Sequence, residues 1–479
     1  MTTTAPESPE AAGFGANEWL VEELFKRFQT DPDSVSPAWR DFFRDYQSID
    51  PVGVRQAPQA PPVVTPSVVT GTTALSGAAK RVVTNMESSL TVPTATSVRT
   101  VPGALLIENR IFINNILTRS RGGKVSFTHL IAWAIVQATK STPEMNASYT
   151  VVDGKPSVIN YPYINLGLAI DLQKPDGTRQ LLVPSIKNAQ DMDFAQFWAS
   201  YDDLVRKARN QKLSPDDFAC TTISVTNPGT IGTEHSVPRL MVNQGAIVGV
   251  GALEYPAEWQ GAAQYVRAQA GISKTITLTS TYDHRIIQGA QSGEFLKRIA
   301  DLLLGKDDFY VDVFASLKIP YKPYLWAQDV AIDHDDDINK VARVQALINS
   351  YRVRGHIIAD TDPLVYQQRT APDLTMANHV LSMWDLDREF PTGGFGEKPF
   401  MLLRDILDQL RDTYSSSVGV QYMHINDPER RNWIQTELER GRTKPARDQQ
   451  LQILRKLNAA EAFENFLQTK FVGQKRFSL

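Results

Sequence analysis

Cysteine is nearly missing from this chain: Cys220 stands alone among 479 residues. One thiol cannot close an internal disulfide, so a cross-linked scaffold is excluded and a reducing compartment is the expectation. A basic excess is missing too. The 50 Lys and Arg against 53 Asp and Glu leave a formal charge of -3, which argues against a general nucleic-acid binder. No apolar run approaches the roughly 20 residues needed to cross a bilayer. The first residues lack the charged-then-apolar pattern of a secretory signal, and Glu7 and Glu10 fit a transit peptide poorly. No Cys/His/Asp cluster has metal-ligand spacing. Cys220 reads as a small buried hydrophobe rather than a nucleophile. The expectation is a soluble, cytoplasmic protein with no nucleic-acid, membrane or metal partner.

The content that is present supports sizeable cores, with 42% hydrophobic residues and a length suited to two or three domains. Residues 1–16 read as disordered. Trp19, Leu20, Leu24, Phe25 and Phe28 then share one helical face, which Asp31-Pro32 ends. A second short helix starts at Ser36 as N-cap with Pro37 behind it, and carries Trp39, Phe42 and Phe43. So many aromatics in so short a stretch must be covered, either by the chain's own core or by a partner subunit; the pattern leaves both open. From Pro51 to Ala79 the only charge is Arg55 amid Pro, Val, Thr, Ala and Gly, so that stretch reads as a linker continuing to about residue 100.

Strand and helix patterns alternate from about Leu105. Phe127, Leu130, Ile131, Ala134, Ile135 and Ala138 predict a helix ended by Pro143. Strands are expected at 164–171 and 181–186 around a Pro-Asp-Gly turn, and again at 221–226, 246–250 and 276–281. Helices are expected at 194–209 and 292–304. Mixed α/β of about 200 residues is an ordinary single domain. Beyond the joint at Pro320–Pro323, the acidic patch at 333–337 suits a helix N-terminus, with Ile338, Val341, Val344, Leu347, Ile348 and Tyr351 on its buried face. Mainly helical segments follow.

Chemistry concentrates in two segments. In Ser280-Thr281-Tyr282-Asp283-His284-Arg285-Ile286-Ile287-Gln288-Gly289 a β-rich run ends in a histidine, and a glycine permits a close turn into a helix. In Thr221-Thr222-Ile223-Ser224-Val225-Thr226-Asn227-Pro228-Gly229-Thr230 hydroxyls alternate with apolar residues, as on a solvated strand face. Beside a histidine base, one of those hydroxyls could stabilise an oxyanion.

These pieces, with Pro143-Glu144-Met145-Asn146-Ala147, Ile164-Asn165-Leu166-Gly167-Leu168-Ala169, Leu182-Val183-Pro184-Ser185-Ile186, Leu213 to Phe218 and Ala246 to Gly251, occur in the order found in dihydrolipoamide acyltransferases. The stretch 105–304 resembles the catalytic domain of that family. The resemblance implies a chloramphenicol-acetyltransferase-like fold with a mixed sheet, and an active site in a channel between subunits of a homotrimer. His284 would be the general base toward a thiol, Thr226 the oxyanion donor, and Asn227 and Gly229 candidate coenzyme A contacts. The family has an aspartate four residues after the histidine. Gln288 stands here instead, keeping hydrogen bonding without charge; its expected role is in ordering the site. Asp283 would face away if the strand continues. The departure at Gln288 also favours an alternative, a non-catalytic scaffold for a complex.

The flanks resemble another protein. Glu22-Glu23-Leu24 through Phe43, then Tyr351 to His356, Asp387 to Phe390, Tyr422 to Ile425 and Phe471 to Leu479, are similar to the thiamine-diphosphate decarboxylase component of 2-oxoglutarate dehydrogenase. An acyltransferase between two such parts is the arrangement of the actinobacterial multifunctional 2-oxoglutarate metabolism enzymes. That family implies succinyl as the acyl group, and dihydrolipoamide dehydrogenase and a lipoylated acyltransferase as partners. Thiamine diphosphate and Mg2+ are expected only in the full-length relatives, because no Gly-Asp-Gly segment occurs here, and the lipoyl group is expected on a partner because no Asp-Lys-Ala turn occurs. The expected divisions are 1–46 (N-terminal helical segment), 47–104 (linker), 105–318 (acyltransferase domain) and 319–479 (start of the decarboxylase component, cut before its cofactor site).

Overall fold

A computed structural model describes residues 18–44, 46, 78–120, 122–173, 179–241, 243–328, 334–362, 364–441, 445–471 and 473. Residues 1–16, most of the linker, the turn at 175–177, Asp333 and nearly all of the last motif lie outside the described residues.

The strands are β1 (Thr94–Pro102), β2 (Ala147–Val152), β3 (Lys155–Asn160), β4 (Leu166–Leu168), β5 (Ile170–Gln173), β6 (Arg179–Leu182), β7 (Ser185–Ile186), β8 (Ile223–Thr226), β9 (Ala246–Glu254), β10 (Thr275–Asp283), β11 (Glu389–Pro391) and β12 (Phe400–Leu402). Six of them form one sheet in the order β1-β10-β9-β8-β4-β7. It is mixed: β4, β8 and β9 run parallel, and the other pairings are antiparallel. The expected α/β architecture, a mixed sheet with mainly helical flanks, is what the chain adopts.

Helices α1 (Glu18–Thr30), α2 (Pro37–Phe43) and α3 (Ala78–Ser89) precede the sheet. Around it lie α4 (Ala104–Arg119), α5 (Phe127–Ser141), α6 (Phe194–Arg209), α7 (Pro215–Phe218), α8 (Gln264–Gln269), α9 (Gly289–Leu303) and α10 (Phe309–Ser316). Then come α11 (His334–Arg354), α12 (Leu403–Tyr414), α13 (Pro428–Glu439) and α14 (Arg447–Lys470). Helix α5 opens on a reciprocal N-terminal cap: Ser126 Oγ accepts from the His129 N–H while His129 Nδ1 accepts from the Ser126 N–H. Its Leu130, Ile131, Ala134, Ile135 and Ala138 are fully buried, as the 3.6-residue period requires.

The linker expectation is corrected at its C-terminal end. Residues 94–102 are β1, paired with β10 from Thr94 opposite Asp283 to Pro102 opposite Thr275. As an edge strand it is only half buried and rich in Thr, so its hydrophobic signal is weak. Cys220 also departs from expectation. It is exposed, in a left-handed turn (φ 56°) whose carbonyl accepts from Asn165 Nδ2 at 2.7 Å.

The aromatic N-terminal hairpin packs on the chain's own core. Trp39 and Phe43 are buried and stacked at 5.2 Å, and the Trp39 indole N–H donates to the Leu213 carbonyl at 3.0 Å. The C-terminal helical region is likewise tied to the sheet domain. Asn109 and Tyr324 exchange hydrogen bonds of 3.1 and 2.8 Å, Arg119 reaches Asp408 and Asp412, and Arg404 pairs with Glu108 at 3.0 Å. Glu108 is buried, and burial outweighs its arginine partner, pushing its carboxyl up to about 6.

Candidate active site

The candidate residues lie at the ends of two strands, β10 and β8. At the first, β10 stops at Asp283 and the chain folds back at once, with the N–H groups of Ile286 and Ile287 donating to the Asp283 carbonyl at 3.2 and 3.0 Å. His284 stands exposed on this turn. Its N–H donates to the Pro93 carbonyl at 2.9 Å, which ties it to the residue before β1. Its Nδ1 lies 3.0 Å from the Ile287 carbonyl oxygen. A carbonyl can only accept, so this contact places a proton on Nδ1 and, in the neutral ring, selects the tautomer with the lone pair on Nε2. The Tyr282 ring meets the imidazole edge-on at 5.5 Å. The result is an oriented, accessible imidazole.

Asp283 is buried, and because β10 ends there the condition of a continuing strand is not met. Its carboxylate accepts from the Arg285 N–H at 3.0 Å, from Nε at 2.9 Å and from Nη2 at 2.6 Å. Gln288 is the N-cap of α9; its backbone N–H donates to Gln291 Oε1 at 2.7 Å. The Gln288 side chain is exposed, and the hydrogen bonds of His284 run to Pro93 and Ile287 rather than to it.

At the second end, Thr226 closes β8, half-buried and opposite Gly249 of β9. Asn227 Nδ2 donates to Thr128 Oγ1 at 2.7 Å. Gly229 lies against the Gly251 backbone, where any Cβ would collide with the carbonyl; glycine is needed for that approach. These residues are engaged within the chain.

The strand register separates the two ends. Tyr282 is opposite Ala246 and Ala246 opposite Ile223, whereas Thr226 is opposite Gly249. His284, beyond β10, is therefore about 15 Å from Thr226 along the strands and two strand spacings of about 4.8 Å across them. No single copy can bring both onto one reacting carbonyl.

The comparisons with known proteins bear on this arrangement. Residues 69–309 match the family model for the 2-oxoacid dehydrogenases acyltransferase (catalytic domain). The chain belongs to that acyltransferase family. A second model, the 2-oxoglutarate dehydrogenase N-terminus, matches residues 10–48. Among curated relatives, the multifunctional 2-oxoglutarate metabolism enzyme of Mycolicibacterium vanbaalenii is 50% identical over 97% of this chain. The 2-oxoglutarate dehydrogenase E1/E2 component of Corynebacterium glutamicum is 47% identical over 98% of it. The chain spans only 42% of the length of each. Among solved structures, the cubic core of the pyruvate dehydrogenase multienzyme complex is 28% identical, with a TM-score of 0.44, over 55% of this chain and 100% of that one.

Sequence reasoning for this acyltransferase missed the β2–β3 hairpin, although Asp153-Gly154 between two β-branched runs was a readable signal. It also missed the Pro93 and Ile287 carbonyls, which no side-chain motif could reveal.

Proposed function

We propose that this chain transfers a succinyl group between a dihydrolipoyl-lysine of a partner protein and coenzyme A. The observation that carries the reading is the exposed imidazole of His284, anchored through Nδ1 with Nε2 free. A thiol near its ordinary pKa of about 8.5 is mostly protonated at neutral pH, and neutral imidazole is matched to removing that proton. His284 Nε2 takes the proton from the coenzyme A thiol, the sulfur attacks the thioester carbonyl, and the C–S bond to dihydrolipoyl breaks. The proton passes to the departing dihydrolipoyl sulfur. Thr226 of a second copy donates to the oxygen that becomes negative; the separation of the two residues within one copy supports a site completed across a homotrimer interface. Asn227 and Gly229 would shape the wall on the coenzyme A side, and Gln288 would order the turn into α9 without carrying charge.

Succinyl is preferred because the curated relatives are named for 2-oxoglutarate. Their greater length suits a decarboxylase that uses thiamine diphosphate and Mg2+ and hands succinyl to a lipoylated acyltransferase, with dihydrolipoamide dehydrogenase reoxidising the carrier. A cytoplasmic setting fits this chemistry; among the described residues no helix is long and apolar enough to cross a membrane.

The test is mixing. Chains carrying His284→Ala and chains carrying Thr226→Val are each assayed for transfer from succinyl-CoA to dihydrolipoamide, then refolded or co-expressed together. Random assembly pairs an intact histidine with an intact threonine in about a quarter of the interfaces, so about a quarter of the parental rate should return. A mixture as inactive as its parents sinks the shared site, and a parental chain without transfer leaves the scaffold alternative in its place.

A further inference from the structure

His284 is oriented by two backbone carbonyls, so its precision is that of the turn holding them. The Ile287 carbonyl is set by a turn that closes onto Asp283 through two N–H bonds. The Asp283 N–H in turn donates to the Gly245 carbonyl at 2.9 Å, fastening the turn to the start of β9. A buried carboxylate at this point would be costly unless compensated. Arg285 compensates it with a bidentate grip and a backbone N–H; hydrogen bonding to Asp283 raises the arginine's pKa. The guanidinium is itself held, lying 3.8 Å over the ring of Tyr149 in β2. Residues on both sides of the histidine are thus locked to each other and then to a separate hairpin.

We propose that Asp283, Arg285 and Tyr149 form a clamp that positions the His284 imidazole for proton transfer. They are positioning residues, acting through the turn. The clamp accounts for a site that works with Gln288 in place of a charged residue: the negative charge that steadies the turn sits one residue before the histidine, rather than four after it. Planarity and bidentate geometry matter here, so a lysine at 285 keeps the charge and loses the grip. The proposal rests on the acyl-transfer reading above.

The test uses the full chain and succinyl transfer to dihydrolipoamide, and it centres on Tyr149, which is half-buried and whose replacement leaves the core intact. Tyr149→Ala should lower kcat about tenfold, the scale of a small misplacement of a reacting group, with KM within about twofold. Tyr149→Phe keeps the ring face and should restore most of the rate. Arg285→Gln and Asp283→Asn should lower kcat at least as far, and Arg285→Lys should recover only part. Imidazole nitrogen NMR adds a readout that does not need turnover: His284 should be the Nδ1–H tautomer in the parent chain and a tautomer mixture in Tyr149→Ala and Arg285→Gln. A parental kcat in both Tyr149→Ala and Arg285→Gln would overturn the clamp. So would Tyr149→Phe as impaired as Tyr149→Ala, an unchanged tautomer, or losses explained wholly by KM. His284→Ala separates the two ideas. If it transfers succinyl at the parental rate, the acyl-transfer reading falls; if it is inactive while the clamp variants are not, only the clamp falls.

Discussion

The termini of β10 and β8 are built by different means. At the β10 end, polar groups do the positioning: a carbonyl at Pro93 and another at Ile287 hold the His284 backbone and ring. At the β8 end, close packing does most of it: Gly229 presses on Gly251, Thr226 follows from the strand it terminates, and Asn227 adds one hydrogen bond to Thr128. Directional bonds fix where a proton sits, while glycine contacts fix only where a backbone runs. The base end should therefore fail in its chemistry when disturbed, and the hydroxyl end in its folding as well.

The largest effect should come from His284→Ala, which removes the base and should cut kcat about 10³-fold with little change in the thermal unfolding midpoint; a loss below tenfold would break the contrast. Thr226→Val keeps the shape of the strand end and removes one donor, and should cost about 10²-fold in kcat with KM nearly constant, measured by the same steady-state assay. Gly229→Ala forces a methyl into the Gly251 carbonyl and should destabilise the fold by about 3 kcal/mol, the upper part of the range for a single backbone clash. Urea denaturation would show it, and an unaltered midpoint would mean that the β8 end is not held by packing.

A smaller effect lies away from both ends, at Glu108 under the C-terminal region. Burial raises its carboxyl from the ordinary 4.5 to about 6, so the folded chain binds this proton more tightly than the unfolded one. Its contribution to stability is complete below pH 4.5 and lost as the pH rises through 6. The amplitude is about 2 kcal/mol, from 1.4 kcal/mol per pKa unit. Glu108→Gln should flatten that part of the stability–pH curve in calorimetry, and an identical slope in both proteins would show that the Arg404 contact dominates instead.

Elements with strong local patterns were legible in advance. Helix α6 occupies 194–209 as its apolar period requires, and β8, β9 and β10 fall where the hydrophobic runs lie, β8 two residues shorter and β9 and β10 a few residues longer than expected. His284 and Thr226 could be singled out by motif. The β1 strand could not, because an edge strand buries one face only and its Thr-rich sequence reads like the linker before it. Cys220 was misplaced for a related reason: burial was inferred from residue type, while a left-handed turn points it outward. Tyr149 went unnoticed because its hairpin exposes Val151, Val152, Val158 and Ile159 and so lacks the inside-outside alternation.

Local periodicity alone determined which segments coil or extend, because it depends on neighbours a few positions apart, and the order of the motifs marked the segments that carry His284 and Thr226. Tertiary structure decided the rest. Strand register sets His284 and Thr226 well apart on one sheet, and the packing of a separate hairpin brings Tyr149 onto Arg285, more than a hundred positions away, because contacts between distant segments are not written in any local pattern.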